Sequence, residues 1–357
     1  MGISKLAELV RTDAPAAIAH REISHYTGKI IALDASIVLC QFRTAGPKIQ
    51  NRNGTFLSPL TGLFFRTLHF LENDIKPVFV FEGIPPAQKS AVLEKRAAMQ
   101  GWSHRTSTES PQTQDCQRLL QLLGVPFIQA AGEGEAMCAQ LVRCGRVDAV
   151  ASEDMDTLAF GSSLLIRQLN AKKSNDIVEY SLPKLLDILG LTQEQFVDLC
   201  ILLGCDYCEK IHGLGPRKAL DLIQEHKTIE NVLLNINRET HPVPLCWKYQ
   251  DARRLFLDLP GNLASDQPDQ LLCWEEPDEE GLVQFLCREK YVREERVRGR
   301  MERFRKTLQE RRKERQASAQ EGCSQQTCMD QFFRVTRRRQ APDAEEQSSS
   351  KKSRLQS

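Results

Sequence analysis

Seven acidic residues sit where a metal-dependent phosphate chemistry could use them. Asp34 lies near the end of an apolar run at residues 29–36 (KIIALDAS), and Glu82 near the end of another at 77–83 (PVFVFEG). Glu133 and Glu135 follow a third run at 125–130 (VPFIQA), and Asp154 and Asp156 close a fourth at 149–156 (AVASEDMD). Asp206 comes after an apolar helical stripe and before a glycine-rich turn. Brought together, such carboxylates repel, because like charges ~4 Å apart cost roughly 4 kcal/mol at intermediate dielectric. Divalent cations relieve this, and Mg²⁺ is commonly held by carboxylates together with substrate phosphate. Seven acids suit two ions, a pair that activates water and stabilises the leaving oxygen of a phosphodiester. Any one of these acids reads equally as a helix cap or solvated turn. Asp34, among Ile30, Ile31, Leu33 and Ile37, is harder to explain as an unpaired carboxylate in an apolar run.

Other residues suggest a phosphate-bearing partner. Lys89 and Arg96 lie seven apart in a basic helical pattern (KSAVLEKRAAM) and share a face, so they could stabilise a scissile phosphate. Gly213-Leu214-Gly215-Pro216 lets backbone amides and a helix N-terminus approach a phosphate, with Arg217 and Lys218 beside it. Gly132-Glu133-Gly134-Glu135 lacks the spacing of a nucleotide phosphate loop. Cys200, Cys205 and Cys208 form a C-x4-C-x2-C run without a fourth ligand at zinc-finger spacing, and the twelve scattered cysteines read as reduced thiols. Gln326, Met329, Phe332 and Phe333 mark an apolar-aromatic island in a polar tail, as expected of a short turn that docks in a groove. Arg337-Arg338-Arg339 and Lys351-Lys352-Ser353-Arg354 have the form of a two-part nuclear localisation signal.

The four apolar runs lack clean alternation, as strands covered on both faces do, and helical patterns at 60–73 and 114–123 lie between them. This alternation predicts an α/β fold with a mostly parallel central sheet flanked by helices, whose strand ends border one crevice. Residues 193–228 read as helix, turn, helix, with Phe196, Leu199, Cys200 and Leu203 on one stripe. From about 314 the chain is polar and Gln/Ser-rich, the composition of a disordered tail. The 357 residues carry a net charge of only +1, which taken alone argues against a nucleic-acid partner. Counted by region, residues 288–357 hold 20 Lys+Arg against 11 Asp+Glu, a balance of +9, and residues 1–287 hold 28 against 36, a balance of −8. The sum conceals an acidic body and a basic tail. No leading segment looks like a signal peptide and no apolar run spans a bilayer, so a soluble intracellular protein is expected.

The stretches MGI at the start, LDAS at 33–36, EKR at 94–96, SEDMD at 152–156 and QEQFVDLCILLGCDYCEKIHGLGPRKALDLI at 193–223 resemble the eukaryotic flap endonucleases. These are structure-specific 5′ nucleases related to the XPG repair nucleases. The resemblance runs from Met1 to about Val335. It implies a PIN/5′-nuclease-like fold with an N-terminal nuclease region (1–100), an internal region (101–228) ending in a helix–two-turn–helix, a C-terminal helical part (229–313) and a tail (314–357). It implies one Mg²⁺ at Asp34, Glu82, Glu133 and Glu135, and a second at Asp154, Asp156 and Asp206. Lys89 and Arg96 would contact the scissile phosphate. Gly2, Arg66, Glu133, Gly204 and Asp206 would lie against DNA, as would Gly213, Gly215, Arg217 and Lys218, with K⁺ at that turn. Residues 325–333 look like a docking box for the sliding clamp, proliferating cell nuclear antigen. The implied activity is removal of 5′ flaps in Okazaki fragment maturation and long-patch base excision repair. It would be carried out by a monomer in the nucleus, with the mitochondrion a second site and 5′–3′ exonuclease activity a companion. Departures from the family pattern are Glu82 for Asp, Cys40 for a base-stacking Tyr, Lys5 for Gly, and a shortened arch over 89–110. They keep open a clamp- and DNA-binding paralogue with little nuclease activity, or a nuclease preferring exonucleolytic, gap or RNA substrates.

Overall fold

The computed structural model describes residues 2–44, 49–51, 54, 56–90, 92, 94, 110–169, 176–258 and 272–324. The strands are β1 (Ile18–Arg21), β2 (Ile30–Asp34), β3 (Lys76–Phe81), β4 (Phe127–Gln129), β5 (Ala149–Ala151), β6 (Leu164–Arg167) and β7 (Ile177–Ser181). They form one sheet in the order β1-β7-β6-β5-β2-β3-β4. From β6 to β4 every pairing is parallel, whereas β7 runs antiparallel to both β6 and β1. The four apolar runs of the sequence are β2 to β5. The other three strands escape a sequence reading, and in β1 and β7 polar residues break the apolar pattern. In β7, for example, Glu179 is buried and accepts a hydrogen bond from the Tyr26 hydroxyl at 3.2 Å, a partner 153 residues away.

The flanking helices are α1 (Leu6–Asp13), α2 (Ala35–Thr44), α3 (Ser58–Glu72), α4 (Pro111–Leu122), α5 (Gly134–Arg143) and the single turn α6 (Asp156–Ala159). Further on come α7 (Leu182–Leu189), α8 (Gln193–Leu203), α9 (Pro216–His226), α10 (Ile229–Asn235), α11 (Tyr249–Leu257), α12 (Glu279–Val283), a π-helical turn (Gln284–Glu289) and α13 (Glu294–Ser324). Alternation along the central strands sorts their side chains between two faces. Ala32, Val78, Val80 and Val150 pack with Cys138, Leu141 and Val142 of α5. The intervening Leu33, Phe79 and Phe81 are also buried, and α2 and α3 pack on β3.

Met1–Lys306 form one compact unit. Regions 1–100 and 101–228 both contribute strands to its sheet. Residues Thr307–Ser357 are grouped separately, and their described part, through Ser324, is helical. The helix therefore continues past residue 314, where composition suggests the tail begins. Its first turns bury Val297, Met301 and Phe304 at i, i+4 and i+7, and its Arg- and Glu-rich exposed face forms i,i+4 pairs such as Lys306–Glu302 at 2.8 Å. The rest of the tail lies outside the described residues.

Helix α8 is apolar all round and buried from Phe196 to Leu203, and a capping box between Thr192 and Gln195 starts it. Its one buried charge, Asp198, is matched by Arg253 of α11. The guanidinium donates to Asp198 at 2.6 and 2.7 Å and to Glu230 at 2.8 and 3.0 Å. Arg253→Met leaves that buried carboxylate unpaired and should destabilise the protein by about 3–5 kcal/mol. Adding Asp198→Leu should recover part of the loss, as read from urea denaturation.

Candidate active site

Because β2, β3 and β5 are parallel neighbours, their carboxyl ends lie side by side at the point where the strand order reverses. Asp34 is the last residue of β2, Glu82 follows β3, and Asp154 and Asp156 follow β5. Glu133 is the N-cap of α5 and Glu135 lies in its first turn. Asp206 lies in the irregular segment after α8. All are buried except Glu82, which is half-buried. Among the described residues, one set of three or more possible ligands converges: oxygens of Asp34, Glu82 and Glu135 lie within 4.8 Å of one another. The extra methylene of Glu82 therefore still brings its carboxylate to the cluster.

Two buried oxygens here have no hydrogen-bond partner, Asp34 Oδ2 and Glu135 Oε2. The other Asp34 oxygen accepts from the Ser36 and Ile37 N–H groups at 2.8 and 3.3 Å and caps α2. Orphaned carboxylate oxygens facing a third acid are costly unless a cation fills the gap, and an all-oxygen donor set suits a hard divalent ion. Burial, with the Glu82 charge adding to it, pushes the Asp34 carboxyl up to about 7. Burial raises Glu135 well above the usual carboxylate range, with Asp34, Glu82 and Asp154 contributing.

Asp154 and Asp206 lie near enough to Asp156 for their charges to act on it, but the three do not converge as closely as the first set. Burial raises Asp156 strongly, and the charges of Asp154 and Asp206 raise it further. The N-terminus is threaded against this group. The Ile3 N–H donates to Asp156 Oδ1 at 2.7 Å, and the Ser4 N–H donates to the Gly204 carbonyl at 3.0 Å. A Cβ at Gly2, whose φ is +78°, would collide with the Asp154 and Asp156 carboxylates, so only glycine fits there.

Glu133, expected at the first ion, pairs with Lys89. Lys89 ends a 3₁₀ turn, Ala87–Lys89, and is buried with its ammonium 6.0 Å from the centre of the Tyr207 ring. Burial alone would lower its pKa, but Glu135, Glu133 and Glu82 outweigh that and hold it above its ordinary value. Arg66 donates to Gln41 Oε1 at 2.9 Å and lies 4.3 Å over the Phe42 ring. Burial lowers its pKa to about 10.

At the glycine turn, Gly213 has a φ of +74° and a Cβ there would lie 3.2 Å from His241 Nδ1, whereas Gly215 faces open space. Lys218 meets the same imidazole, Nζ to Nε2 at 2.6 Å. Arg217 pairs with Asp13 of α1 and with Asp221 at 3.3 Å. Its charge is thus shared with two acids, which its place in the sequence did not reveal. Tyr207 and His241 are the residues that sequence reasoning missed. Tyr207 was legible as the neighbour of Asp206, but His241, 23 positions from Lys218, carried no local signal. Cys200, Cys205 and Cys208 form no converging metal set. Arg96, Gln326, Met329, Phe332 and Phe333 lie outside the described residues, as does most of the arch. No described helix is long and apolar enough to cross a membrane.

Comparison with known proteins agrees with this geometry. Residues 1–101 match the XPG N-terminal domain and residues 124–206 the XPG I-region. A probable flap endonuclease 1 homologue of Danio rerio is 59% identical over 349 residues, 96% of each chain. Flap endonuclease 1 of Bos taurus is 41% identical over 94% of this chain and 91% of its own. Among solved structures, flap endonuclease-1 from Methanococcus jannaschii superimposes with a TM-score of 0.65 at 26% identity, over 82% of this chain and 97% of its own. The catalytic core of Rad2 in complex with DNA substrate shares the fold, with a TM-score of 0.69 at 23% identity over 85% of this chain and all of its own. Two XPG domain matches covering more than half of the sequence, and close identity along nearly all of it, establish that the chain belongs to the flap endonucleases of the XPG family.

Proposed function

We propose that this chain is a structure-specific 5′ flap endonuclease of DNA replication and repair, a phosphodiester hydrolase that uses Mg²⁺ and acts as a monomer in the nucleus. The observation that carries the reading is the convergence of Asp34, Glu82 and Glu135 at a sheet edge, with two buried carboxylate oxygens lacking partners. One cation is assigned to these three acids together with Glu133, and a second to Asp154, Asp156 and Asp206. Divalent cations bound there would neutralise the carboxylates and polarise a phosphodiester and its attacking water. Lys89 keeps its proton through the neutral range and offers a fixed positive charge beside the acids. Arg96 is assigned the same role. The N-terminal strap holds Asp156 by a backbone N–H and leaves no side chain at Gly2 to block an approaching DNA strand.

Duplex DNA is assigned to Arg66, Gly204 and the helix–two-turn–helix, where Gly213, Gly215, Arg217 and Lys218 would meet sugar-phosphate and a K⁺ ion. Such contacts position the duplex without reading bases. Arg217 must then exchange Asp13 for phosphate. The sliding clamp is assigned to residues 325–333.

Three outcomes test the reading. Wild-type protein should cleave a 5′-flap substrate with Mg²⁺, and Asp154→Ala should lower the rate on the order of a thousandfold or more. A wild-type rate no higher than the variant's would sink the enzyme reading. The second concerns pH. Asp34 binds protons more tightly folded than unfolded, so its ionisation weakens the metal-free fold as pH rises from about 4 through 7. Mg²⁺ should therefore raise the thermal midpoint more at pH 8 than at pH 5.5, and Asp34→Asn should reduce that difference. Third, replacing Phe332 and Phe333 together by Ala should abolish binding to the sliding clamp in a pull-down while leaving cleavage of free flaps nearly intact.

A further inference from the structure

We propose that Cys205 and Cys208 are a peroxide-sensitive thiol pair whose oxidation to a disulfide across Asp206 turns the nuclease down. Their sulfurs touch at 3.8 Å. Both residues are partly buried, and the two positions between them are Asp206 and Tyr207, in a segment without regular structure. Cys208 borders a cleft of about 560 Å³, shared with Gln88, Tyr207, Trp247 and Cys246, through which a small oxidant can reach it. The fully buried thiols Cys116, Cys138 and Cys200 have no comparable opening.

The step balances with hydrogen peroxide as oxidant. Cys208, as thiolate, attacks one peroxide oxygen and the O–O bond breaks, leaving a sulfenic acid and releasing hydroxide, which takes up a proton as water. Cys205 then attacks the sulfenic sulfur, the S–O bond breaks, and a second water departs. Two thiols lose two electrons and two protons, and the peroxide becomes two waters.

A disulfide is about 2.05 Å long, so the sulfurs must close by roughly 1.8 Å. The chain between them has little slack. Asp206 is buried, and just upstream the Gly204 carbonyl holds the Ser4 N–H of the N-terminal strap, while the next residue of that strap, Ile3, holds Asp156. Tightening the loop therefore displaces a proposed cation ligand. The effect on cleavage rests on the function proposed above, but formation of the bond does not.

The test uses the full-length reduced protein, treated with hydrogen peroxide and digested after alkylation. The expected result is a peptide spanning Cys205 and Cys208 that has lost two hydrogens, resists iodoacetamide and recovers with dithiothreitol. Flap cleavage and the Mg²⁺-induced rise in thermal midpoint should both fall severalfold and return on reduction. Cys205→Ser and Cys208→Ser should be insensitive, and Cys246→Ser should behave as wild type. Peroxide leaving both thiols alkylatable, or joining Cys208 to Cys246, overturns the proposal, as does equal inactivation of Cys205→Ser. If the reduced wild type cleaves no flap, the function proposed above fails, and the peptide mass and the Mg²⁺ shift still decide the switch.

Discussion

The structure depends on holding like charges together away from water. Six of the seven acids are buried at one sheet edge, and the buried ammonium of Lys89 pairs with one of them, Glu133. One ammonium does not neutralise this set, and burial drives Asp34, Glu133, Glu135 and Asp156 toward their protonated forms, Asp34 to about 7. A fold built around repulsion of this size persists only if the rest of the molecule holds the acids rigidly and cations supply the missing charge. The sheet provides the rigidity. Asp34 continues a strand hydrogen-bonded on both sides, by β3 and β5, and its neighbours Leu33 and Ala35 are buried.

The same constraint explains features that look unrelated. Gly2 has no side chain because the Asp154 and Asp156 carboxylates fill the space one would need. Helix α8, which leads into the segment that carries Asp206, is buried from Phe196 to Leu203, and the Arg253–Asp198–Glu230 network ties it to α11 and α10. The thiols of Cys205 and Cys208 matter for the same reason, since they flank a ligand whose position the repulsion makes sensitive.

Much of the sheet was legible in the sequence, because buried parallel strands read as short apolar runs and each ended near an acid. Strands β1, β6 and β7 were not. Strand β1 is fixed by a partner distant in the chain, as Ile18 pairs with Tyr180, and in β7 the buried Glu179 interrupts the apolar pattern. The acids of the site were legible by type and by position after each run. Their grouping was not. Asp34, Glu82 and Glu135 converge, while Glu133, two residues from Glu135, turns to Lys89.

From the sequence alone came the chemistry available: the carboxylates, the basic residues beside them, the glycine turn, and a charge distribution that a net value of +1 conceals. Residue type and spacing settle such questions because they set which groups can ligate, ionise or approach a phosphate. Only the tertiary structure decided which charges neutralise which. Arg217 belongs to Asp13, Lys89 to Glu133 and Arg253 to Asp198, while Lys218 meets the His241 imidazole through a hydrogen bond. Electrostatic interaction falls with distance in space and strengthens with burial, and neither quantity can be read from separation along the chain.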